Sequence, residues 1–301
     1  MKIAVIGAGL MGHGIALTLA RALHEVVVTD PVADARAALP GRVADSLALM
    51  GVASAVVLSR ISVVDAVAEA VAAADFVIEA APEKMALKQA IFAEVEDFAP
   101  KGAVLCSNTS VMPITQIMSG LRDKSRALGT HWWNPPHLIP LVEVIRTADT
   151  SEMAMAAVMD LLAGAGKTPV RVEKDVPGFI GNRLQHALWR EAISLVERGI
   201  CDAASVDAVV KASFGRRLAV LGPLENADLV GTDLTLDIHS TVLADLEDRK
   251  GPSPLLQEMV AGGRLGMKSG EGFLRWTPEE AQALRARVVS HLLALDRILG
   301  A

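Results

Sequence analysis

The sequence predicts an α/β domain built on a mostly parallel sheet, followed by an all-α domain. Three observations carry that expectation. In the N-terminal half, short continuous apolar runs alternate with alanine-rich helical stretches. Those runs lack the polar alternation of a half-exposed strand, which marks strands buried on both faces and covered by helices. From Gly178 onward only amphipathic helical segments such as "NRLQHALWREAISLVERG" appear, and no convincing strand.

Taken in order, "KIAVIGAG" reads as the first strand, followed by a helix from about Met11 to Leu23. "EVVVTD" is the next strand, a helical excursion covers Val32 to Leu58, and "RISVVD" is a further strand. "ADFVIEAAPE", "AVLCSNTS", "RALGTHWW" and "LVEVIRT" continue the pattern, with helices between most of them. The character changes after "PVRVEKDVPGF", so the boundary falls near Asp175–Gly178, giving domains of residues 1–175 and 176–301. The last helix opens at "TPEE", with Thr277 as N-cap, Pro278 at the first helical position and Glu280 completing a capping box.

Composition narrows the functional classes. The chain has 301 residues, 51% of them hydrophobic, enough for one large core or two smaller ones. A net charge of −6 with no basic stripe argues against nucleic acid as a partner. Cys106 and Cys201 are the only cysteines, which argues for a reducing compartment and against a disulfide framework or a cysteine metal site. No apolar run is long enough to cross a bilayer. The N-terminal one is broken by His13, Arg21, His24 and Glu25 and lacks a signal-peptide layout. The reading is a soluble cytoplasmic protein that acts on a small molecule.

"GAGLMG" places Gly7, Gly9 and Gly12 in a G-x-G-x-x-G, with Leu10 and Met11 between the last two glycines. The pattern alone is weak, because glycine-rich turns are common. Here it follows a strand directly and opens a helix, the context in which the backbone cradles a dinucleotide pyrophosphate on a helix N-terminus. Asp30 ends the second strand, where a carboxylate meets the adenosine ribose hydroxyls and repels the additional phosphate of NADP, so NAD is the expected cofactor. The competing reading is a plain strand-turn-helix.

"GTHWWNPPHLIPLVEVI" concentrates a second set of chemistry in a chain without tyrosine. His131 lies at the C-terminal end of a predicted strand, and Glu143 lies on the next one, past the Asn134-Pro135-Pro136 turn. A neutral histidine can take the proton of a substrate hydroxyl as hydride leaves for a nicotinamide, while a carboxylate on its other nitrogen fixes the tautomer. The competing reading is a satisfied core histidine beside a strand glutamate. With no tyrosine to serve as proton donor, histidine or a metal must do the work. His131 and His137 lack the spacing and partners of a zinc site, so no metal is expected.

Together and in this order, "GAGLMGHGIA", "EAAPEKMALK", "SNTS", "THWWNP…LVEV", "DVPGFIGNR", "GPLE" and "GMKSGEGF" resemble the 3-hydroxyacyl-CoA dehydrogenase family over nearly the whole chain. The resemblance implies a Rossmann-type domain followed by a helical domain that forms a homodimer. By position it implies that His131 is the catalytic base and Glu143 its partner, and that Ser110 and Asn182 hold the reacting oxygen. It implies cofactor contacts from Glu83, Lys88, Asn108, Ser110, Asn134 and Lys268, beside the glycine loop and Asp30. For Ser110 and Asn182 the alternative is ordinary turn and cap chemistry.

The chain also departs from the acyl-CoA members. The excursion after Asp30 carries only Arg36, Arg42 and Arg60 before Asp65, and no lysine, where they hold basic residues for CoA. "NPPHLIPLVE", "FGRRLAVLGPLE" and "TPEEAQALRAR" are closer to branches that act on sugar acids and pyridine carboxylates without CoA. Arg217 is therefore expected to reach into the cleft between the domains and hold a substrate carboxylate, with Arg216 as the neighbouring alternative. For the substrate, a 3-hydroxyacyl-type secondary alcohol and a small carboxylate without CoA both stay open, as do a non-catalytic, crystallin-like binder of NAD and a decarboxylating dehydrogenase using Lys211.

Overall fold

The computed structural model describes Met1–Leu299. Eight strands form one sheet: β1 (Lys2–Ile6), β2 (Glu25–Thr29), β3 (Ile61–Val64), β4 (Phe76–Glu79), β5 (Val104–Ser107), β6 (Ala127–Trp132), β7 (Leu141–Ile145) and β8 (Thr168–Val172). Their spatial order is β3-β2-β1-β4-β5-β6-β7-β8, and every pairing is parallel except β6 with β7. The chain leaves β1 toward β2 on one side and reaches β4 on the other. The strand order therefore switches at β1, where sheets of this kind open a ligand crevice beyond their C-terminal ends.

Strand residues divide by parity between the two faces. Ile3 and Val5 pack with Ile15, Leu19, Leu39 and Val43 on one side, while Ala4 and Ile6 pack with Val71, Phe92 and Val95 on the other. Helix α1 (Leu10–Arg21) and helix α2 (Ala33–Leu49) belong to the first face. The excursion expected as one helical stretch over Val32–Leu58 is two helices, Ala33–Leu49 and Ala55–Leu58. Gly51 breaks it at φ +69°, a left-handed conformation that glycine adopts without steric cost.

By packing, the chain divides into Met1–Arg183, together with the end of the last helix from Val289, and Leu184–Val288. Among the described residues, only helices and two isolated bridges, Gly266 with Glu271 and Glu271 with Arg275, follow β8. Inside the helical unit Arg198 pairs with Asp245 at 3.1 Å, and Glu197 accepts from Ser253 Oγ at 3.0 Å. The last helix, Pro278–Leu299, starts on the expected box. Thr277 N donates to Glu280 Oε2 at 2.9 Å, and Glu280 N donates to Thr277 Oγ1 at 3.2 Å.

Candidate active site

The glycine loop between β1 and α1 is shaped by what cannot be there. A Cβ on Gly12 would lie 1.8 Å from the Gly7 carbonyl oxygen, and one on Gly7, at φ +115°, would lie 2.7 Å from the Ala80 oxygen. Gly9 is different: nothing lies within 4 Å of where its Cβ would point. Gly7 and Gly12 thus close the turn, while Gly9 leaves open space over the loop. Gly9 is also the N-cap of α1 and brings no side-chain cap to its first turn, where Leu10, Met11 and Gly12 sit. Uncapped N–H groups beside open space are what a pyrophosphate needs, so this loop fits a dinucleotide.

Asp30, just past β2, ties its carboxylate to the same loop. Its Oδ2 accepts from Ala8 N at 2.8 Å and its Oδ1 from Val32 N at 2.9 Å. Each oxygen keeps a lone pair for a further donor such as a ribose hydroxyl.

Next to the loop lies a cluster that sequence reasoning only partly found. Glu79, the last residue of β4, is fully buried and accepts from Lys88 Nζ, Ala81 N and Ser107 Oγ, each at 2.7 Å. Lys88 is also fully buried, and its ammonium is spent on Glu79, the Ala81 carbonyl at 3.1 Å and Glu83 at 3.6 Å. Glu83 in turn accepts from Thr109 Oγ1 at 2.9 Å and from Ser110 N. Asn108 accepts from Trp132 N at 2.9 Å. An ion pair this deep is held by hydrogen bonds on both partners, since a lone buried charge is strongly destabilising. The signal for Glu79 was present in "FVIE", an acid ending an apolar strand at the crevice side of the sheet.

The antiparallel register of β6 and β7 sets His131 directly opposite Glu143. His131 Nδ1 and Glu143 Oε2 are 2.7 Å apart, and both residues are buried. With Nδ1–H donating to the carboxylate, Nε2 is left as the acceptor, the form a general base requires. Glu143 Oε1 accepts from Ile180 N at 2.8 Å and Gly181 N at 3.0 Å, at the start of helix Gly181–Glu197. Burial pushes the Glu143 carboxyl up, but His131 and these two amides outweigh it and hold it below the ordinary 4.5. Trp133 and Phe179 flank the imidazole at 5.3 and 5.5 Å between ring centroids. Gly181 has no Cβ because the Trp133 ring would lie 2.4 Å from it.

Asn182 Nδ2 donates to the Ser110 carbonyl at 2.8 Å, so two residues distant in sequence meet beside the pair. The turn carrying Asn134, whose bond to Pro135 is cis, is pinned from beneath. Lys167 donates to the Pro136 and Ile139 carbonyls, and its ammonium lies 5.5 Å from the Trp132 ring centroid. Burial, then the Arg21 charge, brings Lys167 down to about 8. His137 in the same turn is pushed down to about 4 by burial and by His13, Lys167 and Arg21. Arg217 and Lys268 belong to the helical unit and are exposed there. Arg217 directly follows the short 3₁₀ helix Phe214–Arg216, and Lys268 lies in the bend between Gly266 and Gly270. Among the described residues, no three His, Cys, Asp or Glu side chains gather as metal ligands. No described helix is long and apolar enough to cross a membrane.

The carboxylate of Glu143 gives a testable consequence. Its contribution to stability is complete above the ordinary carboxyl value of 4.5 and is lost as pH falls through the lowered folded value. Glu143→Gln should remove that acid limb from a plot of Tm against pH. With His131 as a general base, it should also lower kcat by roughly one to three orders of magnitude, since a carboxylate on Nδ1 fixes the tautomer and stabilises an imidazolium. The acidic limb of the pH–rate profile should move to lower pH. An unchanged profile would mean that Glu143 does not act on the histidine.

Comparison with known proteins places the whole chain in one family. Residues 2–176 match the 3-hydroxyacyl-CoA dehydrogenase NAD binding domain, and residues 178–276 match the 3-hydroxyacyl-CoA dehydrogenase C-terminal domain. The chain is 38% identical to 5-formyl-3-hydroxy-2-methylpyridine 4-carboxylate 5-dehydrogenase of Mesorhizobium japonicum, over 99% of this chain and 98% of that one. It is 39% identical to a probable 3-hydroxybutyryl-CoA dehydrogenase of Bacillus subtilis, over 90% and 96%. A crystal structure of a 5-formyl-3-hydroxy-2-methylpyridine 4-carboxylic acid 5-dehydrogenase, described as an NAD+-dependent dismutase, superposes with a TM-score of 0.92 at 36% identity, covering 100% of this chain and 98% of that one. The chain belongs to the 3-hydroxyacyl-CoA dehydrogenase family and is an NAD-dependent oxidoreductase acting on CH–OH groups.

Proposed function

We propose that His131 is the general base of this dehydrogenase, that Glu143 orients it, and that Ser110 and Asn182 hold the reacting oxygen. The 2.7 Å contact between His131 Nδ1 and Glu143 carries the reading. In the oxidative direction His131 takes the hydroxyl proton at Nε2, and Glu143 offsets the positive charge that forms on the ring. Bound NAD supplies the hydride acceptor. In the reductive direction the protonated imidazole returns the proton to the same oxygen. Cofactor contacts are assigned to the glycine loop, Asp30, Glu83, Asn108, Ser110, Asn134 and Lys268, with Lys88 acting from beneath.

The substrate is a small carboxylate without CoA. A specific observation favours this over a CoA thioester: the three arginines of the excursion after Asp30 are already engaged. Arg36 donates to the Asp30 carbonyl and pairs with Asp65, Arg42 donates to the Ala8 carbonyl at 3.0 Å, and Arg60 donates to the Leu23 carbonyl at 3.0 Å. The full-length relative from Mesorhizobium, named for a pyridine carboxylate, points the same way. Arg217 takes the carboxylate, since a planar guanidinium can donate two parallel hydrogen bonds to it. Arg217→Met should raise KM for a free carboxylate by about tenfold to a hundredfold, the worth of a charged hydrogen-bond pair, and leave NAD affinity unchanged. The decisive screen compares free hydroxy acids and aldehydes with 3-hydroxyacyl-CoA thioesters in an NADH-linked assay. Efficient turnover of the thioesters, with no response to Arg217→Met, would return the chain to the acyl-CoA branch.

The working form is a homodimer through the helical unit. Leu224 is 80% exposed, Leu229 72%, Val220 69% and Leu236 66%. Apolar exposure this dense marks an interface, and a monomer in sedimentation at micromolar concentration would overturn the assignment. The compartment is assigned to the cytoplasm, because both cysteines, Cys106 and Cys201, are free thiols.

A further inference from the structure

The parallel register of β2 with β3 pairs Thr29 with Val64, so the residues that follow, Asp30 and Asp65, emerge side by side at the same edge of the sheet. Arg36, in the first turns of α2, joins them. Its Nη1 donates to the Asp30 backbone carbonyl, and its Nη2 lies 2.8 Å from Asp65 Oδ1. The Arg36 side chain is 17% exposed, whereas that of Asp65 is 87% exposed. Asp65 therefore buries nothing of its own, and its contact is with the guanidinium.

We propose that Asp65 and Arg36 form a second determinant of cofactor choice: Asp65 neutralises and occupies the guanidinium that could otherwise bind the 2′-phosphate of NADP. This rests on the reading that the adenosine ribose lies at the C-terminal end of β2, where Asp30 and Arg36 sit. An arginine near that point is the feature that accommodates a 2′-phosphate in this class of fold. Here the arginine is present and tethered within one residue's reach of Asp30. The Asp30–Arg36–Asp65 cluster, two aspartates and one arginine, sums to −1, while the Arg42 guanidinium is held separately on the Ala8 carbonyl. Removing Asp30 alone brings the sum to zero but leaves the guanidinium engaged. Removing both aspartates gives +1 and frees the donors of Nη2. A surface ion pair of this kind contributes little to stability, so releasing it should not disturb the fold.

The test is equilibrium binding of NADH and NADPH, measured by calorimetry at low ionic strength, where exposed charges are least screened. In the Asp30→Ser background, Asp65→Asn should tighten NADPH binding by about tenfold, a charge-assisted hydrogen bond's worth, and change NADH by less than about twofold. Adding Arg36→Ala should erase that gain. In the wild-type background Asp65→Asn should give a smaller gain of about threefold, because Asp30 still repels the phosphate. This single variant keeps the test open should Asp30→Ser not fold. No NADPH gain from Asp65→Asn in either background overturns the proposal, as does a gain that survives Arg36→Ala. Asp30→Ser reports separately on the underlying reading: if it leaves the ratio of NADH to NADPH affinity unchanged while Asp65→Asn moves it, Asp30 is wrongly placed and the Arg36–Asp65 determinant stands.

Discussion

His131→Gln should leave NAD affinity within about twofold of wild type while lowering turnover by about two to four orders of magnitude, the usual range for a lost general base. The substitution suits the site. Glutamine can donate to Glu143 as the imidazole does, so the buried carboxylate keeps one of its three partners, Ile180 N and Gly181 N being the others. What it cannot do is exchange a proton near neutral pH. The glycine loop and Asp30 are held by backbone contacts that do not involve His131, which is why cofactor binding should persist. Near wild-type kcat in the variant, measured on a substrate the wild type turns over, would remove His131 from the chemistry.

Two glycines of the loop should both weaken NAD but differ in stability, and this contrast is the most direct test of the loop. Gly12→Ala sets a Cβ 1.8 Å from a backbone oxygen, so the helix start must move away from the turn. Overpacking of this kind costs about 1–3 kcal/mol, which should lower Tm by roughly 2–10 °C and weaken NAD by about tenfold to a hundredfold. Gly9→Ala meets nothing within 4 Å, and Gly9 has φ −75°, which alanine adopts freely. Its Tm should stay at the wild-type value while NAD binding weakens by at least about tenfold, because the methyl occupies the approach of the pyrophosphate. Wild-type NAD affinity in Gly9→Ala would show that the dinucleotide does not lie over this loop.

Residues 1–12 illustrate how much was legible in the sequence. An apolar run followed by glycines at fixed spacing has few structural solutions, because backbone conformation and local sterics act over a few residues. The same holds for Thr277, Pro278 and Glu280, whose cap is entirely local, and for the run of helices after Gly178. The partnership of His131 with Glu143 was legible for a related reason: a short connection between adjacent strands limits the registers available.

Other features required the tertiary structure, because they depend on groups brought together from distant segments. Lys88 is identified in the sequence only as a lysine in a family motif. Its burial against Glu79, whose other oxygen accepts from Ser107, follows from how β4, β5 and the helix Met85–Phe98 pack. Gly181 gives no local sign that it makes room for Trp133, nor Asp65 that it neutralises Arg36. Such side chains acquire their roles from burial and from the charge opposite them, and neither is encoded in a spacing. The sequence alone thus determined the fold class, the glycine loop between β1 and α1 and the contact of His131 with Glu143, each set by local geometry or short connections. Only the tertiary structure decided which charges are spent inside the protein and which remain for a ligand, because that depends on partners far apart along the chain.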